Sequence, residues 1–154
     1  MVELLITIAI SGVVITAAYT FLFANQSAYF LVMARIDAQS DAKSAIDNIM
    51  TNIRSADQKE LLKQQSGNSL NLKIPNNNGI LIDYTYTIVN SKLVLLKDDV
   101  EFIVATNIDG ANGFYFTEAT EDKLITVKVK TLSQRYNRTA TFEVENHHKI
   151  KVDI

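Results

Sequence analysis

The 154-residue chain predicts an α+β fold in which one long N-terminal helix packs on a small antiparallel β domain. Three observations predict it. Leu4 to Ala24 carries no charge. The apolar residues that follow recur every three or four positions, the spacing of one helix face. From Leu70 onward the period drops to two, the mark of half-buried strands.

The first element, residues 1–24, is broken only by Thr7, Ser11, Gly12, Thr16, Tyr19 and Thr20 after its single acid, Glu3. As a helix, residues 4–24 would extend about 31 Å at ~1.5 Å per residue, close to the ~30 Å of a bilayer's hydrocarbon. A membrane-spanning helix is therefore expected. A cleavable secretory signal fits less well, because no Lys or Arg precedes the run and such cores are only ~7–15 residues long.

The second element, residues 25–60, reads as the amphipathic continuation of the same helix. Tyr29, Val32, Met33, Ile36, Ala42, Ala45, Ile46, Ile49, Met50, Ile53 and Ala56 make an apolar stripe. Arg35, Asp37, Gln39, Asp41, Lys43, Asp47, Asn52 and Arg54 fall between them. No Gly or Pro interrupts residues 13 to 66, so one helix running to about residue 60 would be about 90 Å long.

Residues 61–154 read as the β domain. Leu70 to Pro75 is a candidate strand, and Ile80, Ile82, Tyr84, Tyr86 and Ile88 alternate along another. Asn90-Ser91 suits a tight hairpin before Lys92 to Leu96. Val100, Phe102 and Val104 alternate next. Asp109-Gly110 and Asn112-Gly113 signal turns before Phe114 to Phe116. Ile125, Val127 and Val129 share one face, as do Ala140, Phe142 and Val144, and residues 150–154 offer a short edge. An antiparallel sheet with hairpin connections follows, and the stripe of residues 29–56 is the obvious cover for its inner face.

Composition narrows the chemistry. A net charge of −2, with 15 Lys and Arg scattered among 17 acids, offers no basic face for nucleic acid. The absence of cysteine removes disulfides, thiolate metal sites and cysteine nucleophiles. His147 and His148 are adjacent, so in a strand they would point to opposite faces and not share a metal; they read as exposed tail residues. Asp98, Asp99 and Glu101, or Asp109 with Asn112, could offer oxygens to Ca²⁺, but lack the spacing of a known calcium loop and fit turns better. Asn137-Arg138-Thr139 matches a glycosylation sequon, a three-residue signal. No catalytic set, cofactor or metal site is identified, and an enzyme is not expected.

VELLITIAISG, residues 2–12, resembles the N-terminal segment of type IV pilins and type II secretion pseudopilins. AAYTFLFANQSAY (17–29), DAKSAIDNIMTNIRSAD (41–57) and the order of strands IDYTYTIVNSKLVL, DVEFIV, DKLITVKVKT and TFEVEN are similar to PilW-type minor pilins and J-type minor pseudopilins. The resemblance implies a pilin-like fold and a structural subunit of a pilus or secretion pseudopilus, acting in initiation or at the tip. Its implied partners are other minor and major pilin subunits, the prepilin peptidase and the assembly platform. It also implies a single pass through the inner membrane by residues 4–24 before extraction, with the β domain outside the cytoplasm. Met1 stands where the family has the hydrophobic residue before V-E-L, which implies a leader, a cleavage-site glycine and two mature residues upstream. The proline many major pilins carry in this helix is absent, Thr20 lying near its place, which suits a minor subunit.

Glu3 has two readings. Alone, it is a carboxylate among headgroups at a helix N-terminus, where the helix dipole favours negative charge. By the resemblance, it neutralises the N-terminal amine of a neighbouring subunit as stems bundle, two charges entering a low-dielectric core together. Gly12 is a place for local unwinding by the resemblance, or a small residue permitting close helix contact. Arg35 and Lys43 follow the apolar run and no cation precedes it, a bias that alone would put the β domain in the cytoplasm. The implied leader would supply the opposing charges. The alternative function is a single-pass, membrane-anchored extracytoplasmic binding or sensor domain, which needs neither Glu3 nor an amphipathic continuation.

Overall fold

The structure, a computed structural model, describes residues 2–57, 61, 67–110, 113–117 and 124–150. Among the described residues, the helix α1 (Val2–Ser55) precedes seven strands: β1 (Leu70–Pro75), β2 (Leu81–Val89), β3 (Lys92–Lys97), β4 (Val100–Ala105), β5 (Phe114–Thr117), β6 (Leu124–Arg135) and β7 (Arg138–Lys149). The predicted class, α+β, is the observed one. The 54-residue helix is about 81 Å long.

The single sheet expected from the alternation is two antiparallel sheets, one ordered β1-β2-β3-β4 and the other β5-β6-β7. The chain between β4 and β5 stitches them together. Ile108 N–H donates to the Ser91 carbonyl at 2.9 Å, Asp109 N–H to that of Lys130 at 3.0 Å, and Leu132 N–H to that of Asn107 at 2.6 Å. Gly113 is required at this crossing, because a Cβ on it would meet Ile108 Cγ2 at 2.3 Å and the Asp109 nitrogen at 2.7 Å. Gly67 makes the second link, bridging Phe116 of β5 just before β1 begins.

Tight turns set the registers. Asn90 and Ser91 both have positive φ, as do Asp98 and Asp99, so the β2–β3 and β3–β4 hairpins close on two-residue turns whose twist matches the strands. Asp98 and Asp99 thus serve the turn. Ile80 lies before β2: its N–H donates to Asn76 Oδ1 at 3.0 Å, inside the loop that links β1 to β2.

A single core lies between the two sheets and the C-terminal half of α1, built from Ile49, Ile53, Leu70, Leu72, Tyr86 and Phe114 among others. Its inward alternation on β6 extends past the predicted Val129 to Thr131 and Ser133. Four expectations are corrected. The helix ends at Ser55 rather than near residue 60, because Asp57 N–H donates to the Lys73 carbonyl of β1 at 2.7 Å; residues 58–60 lie outside the described residues. Val100 and Phe102 are exposed, since β4 is an edge strand whose only buried residue is Ala105. His147 and His148 belong to β7, paired with Thr126 and Ile125, rather than to a tail. Lastly, Tyr29, Val32 and Ile36 are 56%, 50% and 53% exposed. The face of α1 that is covered there carries Ala34, Ala38 and Ala42 instead. Of the proposed edge at 150–154, Ile150 is buried outside any strand, and 151–154 lie outside the described residues.

Candidate functional site

The candidate site is the N-terminal half of α1 and the protein surface around its exit from the β domain. Residues 2–26 are all exposed, so the domain covers none of the apolar stem. The helix is long and apolar enough there to cross a membrane near the N-terminus, and none of that window is buried.

Its hydroxyls suit an apolar medium. Thr7 Oγ1 donates to the Glu3 carbonyl, Thr16 to Gly12 and Thr20 to Thr16, each at 2.8 Å. Each polar hydrogen is therefore returned to the carbonyl one turn back rather than presented to lipid, where an unpaired polar group costs several kcal/mol. Glu3 sits exposed in the first turn of α1. Gly12 lies in unbroken helix, and a Cβ there would meet nothing within 4 Å. Ala9, Gly12, Thr16 and Thr20 line a shallow groove along the stem.

Where the stem meets the domain, the β6–β7 hairpin lies on the helix and holds it by a ladder of polar contacts. Arg138 Nε donates to Ser27 Oγ at 2.6 Å, and Arg135 Nε to Asp37 Oδ2 at 2.7 Å. Thr131 Oγ1, fully buried, donates to the Ala38 carbonyl at 2.6 Å, an approach that the alanine face permits. Asp41 Oδ2 accepts from Thr106 Oγ1 at 3.1 Å and Asn107 Nδ2 at 3.0 Å. At the tip, the Tyr136 ring lies 4.1 Å from that of Phe30, centroid to centroid. Deeper in the domain, the Tyr86 hydroxyl donates to Asn48 Oδ1 at 2.6 Å and accepts from Asn52 Nδ2. Burial pushes its pKa up to about 12, against the hydrogen bond from Asn52.

The remaining sequence candidates are scattered. His147 Nδ1 lies 2.8 Å from Thr126 Oγ1, while His148 is half-buried on the opposite face of β7. The Asp109 carboxylate is held by Lys130 at 2.6 Å, and Asn112 lies outside the described residues. Among the described residues no three His, Asp or Glu side chains gather as a metal site. Asn137 occupies the exposed tip turn between β6 and β7. Ser27, Phe30 and Tyr136 are not singled out by sequence, and Arg138 enters there only as the middle residue of the sequon; the polar residues 136–137 between two alternating runs are the signal that could have marked a tip. Compared with family models, curated proteins and solved structures, the chain matches none.

Proposed function

We propose that the chain is a minor pilin or minor pseudopilin, a structural subunit that assembles through its N-terminal helix, in the initiation or at the tip of the fibre. One observation carries this beyond simple anchoring. Residues 4–24 already suffice for a bilayer, yet uncovered apolar side chains continue at Tyr29, Val32 and Ile36, the last about 18 Å further along the helix than Ala24. They lie on the face opposite Ala34 and Ala38, where the domain packs. A helix apolar on both sides at this level is suited to packing beside sister stems. The V-E-L motif at residues 2–4 and the helix-on-sheet arrangement support the same reading.

In this reading Glu3 matches the terminal amine of a neighbour and sets the stagger between stems, and the groove beside Gly12 admits a second helix closely. The partners are the other pilin subunits, the prepilin peptidase and the assembly platform. The alternative, a membrane-anchored extracytoplasmic binding or sensor domain, is favoured by the stem's back-bonded threonines, which a bilayer alone would account for. The experiment is Glu3→Ala in the natural reading frame. The variant is expected to be processed and inserted in the membrane but to be missing from sheared fibres and their tip complexes. Assembly at the normal level would overturn the proposal in favour of the anchor.

A further inference from the structure

We propose that the β6–β7 hairpin tip is a membrane-surface contact, with Arg138 placed to bind the phosphates of lipid headgroups and Tyr136 seated in the interface. It rests on the stem crossing a bilayer, and not on assembly into a filament.

The position of the tip follows from the helix. The apolar run ends at Ala24, and Asn25-Gln26-Ser27 are the first consecutive polar residues after it, so the hydrocarbon edge falls at about Ala24. Ser27 lies about 4.5 Å beyond that edge, within the headgroup layer of about 5–7 Å, and Phe30 about 9 Å beyond it, just past that layer's outer margin. The hairpin reaches the helix at these two residues, through Arg138 on Ser27 and Tyr136 on Phe30. Further along the hairpin Arg135 meets Asp37 and Thr131 meets Ala38, so the hairpin follows the helix away from Ser27 and its tip is its end nearest the apolar run.

The chemistry of the tip fits that location. Tyr136 is 75% exposed, and it lines a surface pocket together with Phe23, Phe30 and Arg138. Aromatic rings with a polar end favour the membrane–water interface. The residue also holds φ at 50°, a left-handed conformation that suits glycine or asparagine and strains a tyrosine. A large ring is thus kept where the backbone disfavours it. Charge points the same way. The chain as a whole is acidic, at −2, but this end is not. Arg135 is neutralised by Asp37, whereas among the described residues neither Arg35 nor Arg138 has an acid within ion-pair distance. The Arg138 guanidinium uses one N–H on a neutral hydroxyl, leaving the others for phosphate oxygens.

Because the chain contains no tryptophan, Tyr136→Trp would place a single indole at the tip, and Val14→Trp one at mid-stem. Each full-length variant is reconstituted in vesicles of phosphatidylcholine with about a third phosphatidylglycerol, with and without a nitroxide on the headgroup. Circular dichroism verifies that each is folded. The hairpin indole is expected to be quenched about twofold by the headgroup nitroxide, and the mid-stem indole to be quenched only by nitroxides deep in the acyl chains. Adding Arg138→Gln, which keeps a donor for Ser27 and removes the charge, should lower the hairpin quenching, as should high salt. If the mid-stem indole is lipid-quenched and the hairpin indole is not, the hairpin assignment falls while the membrane span stands. A blue-shifted but unquenched hairpin indole would mean that protein covers the tip, and overturns the proposal equally. Quenching that ignores Arg138→Gln overturns the role of the arginine, and a mid-stem indole untouched by any nitroxide removes the premise.

Discussion

Tyr86 is the residue on which helix and sheet chemistry converge most tightly. Its ring is fully buried in the core, and its hydroxyl is shared between Asn48 and Asn52 on successive turns of α1. Removing that oxygen by Tyr86→Phe takes the partner from both amides, and should cost about 1–2 kcal/mol in urea unfolding of the detergent-solubilised chain. The hydroxyl also makes stability depend on pH. Its folded pKa, raised by burial to about 12, lies above the ordinary value of 10.0, so the folded state holds this proton longer than the unfolded state. The contribution is therefore complete below pH 10 and is lost as pH rises from 10 toward 12, to the extent of about 2 kcal/mol. Wild type is expected to lose stability across that window more steeply than Tyr86→Phe, whose other tyrosines and lysines titrate alike. Parallel curves would contradict the burial argument.

At the scale of elements, the helix and the β6–β7 hairpin fit because the helix face between them is alanine. Ala34, Ala38 and Ala42 let the backbones approach until Thr131 reaches the Ala38 carbonyl. A larger side chain there must push the hairpin away, so Ala38→Leu should destabilise the domain by about 1–3 kcal/mol. Ile36→Ala, two residues earlier, should change unfolding by less than about 0.5 kcal/mol, since Ile36 is exposed. The larger apolar residue is the one that the domain does not use. If Ile36→Ala proves the costlier of the two, the hairpin does not pack on the alanine face.

For the whole molecule, the division of labour along α1 is the defining property. The core draws on the helix from Ala45 onward, and residues 2–26 contribute no buried side chain. Deleting residues 2–24 should therefore release the chain from membranes yet leave the β domain's unfolding midpoint within the equivalent of about 0.5 kcal/mol. The intact chain should stay with the membrane through alkaline carbonate washing. Loss of cooperative unfolding in the shortened chain would show that the domain needs its stem.

Much of this architecture was legible in residue order, because hydropathy period reports which face of an element meets water. The uncharged run of residues 4–24, the change to helical spacing and the later change to alternation predicted a stem, its continuation and a β domain, and Asn90-Ser91 predicted its hairpin. Period cannot say which of two apolar faces a partner will choose. Tyr29, Val32 and Ile36 looked like core because they are large, whereas the sheet selected Ala34 and Ala38, because close backbone approach rewards small side chains. Nor does alternation reveal where a strand leaves one sheet for another; that was settled by the backbone bonds of residues 107–109 and the space kept by Gly113. The placement of Tyr136 and Arg138 beside Ser27 and Phe30 likewise exists only after folding, since more than a hundred residues of chain separate these pairs and only packing brings them together.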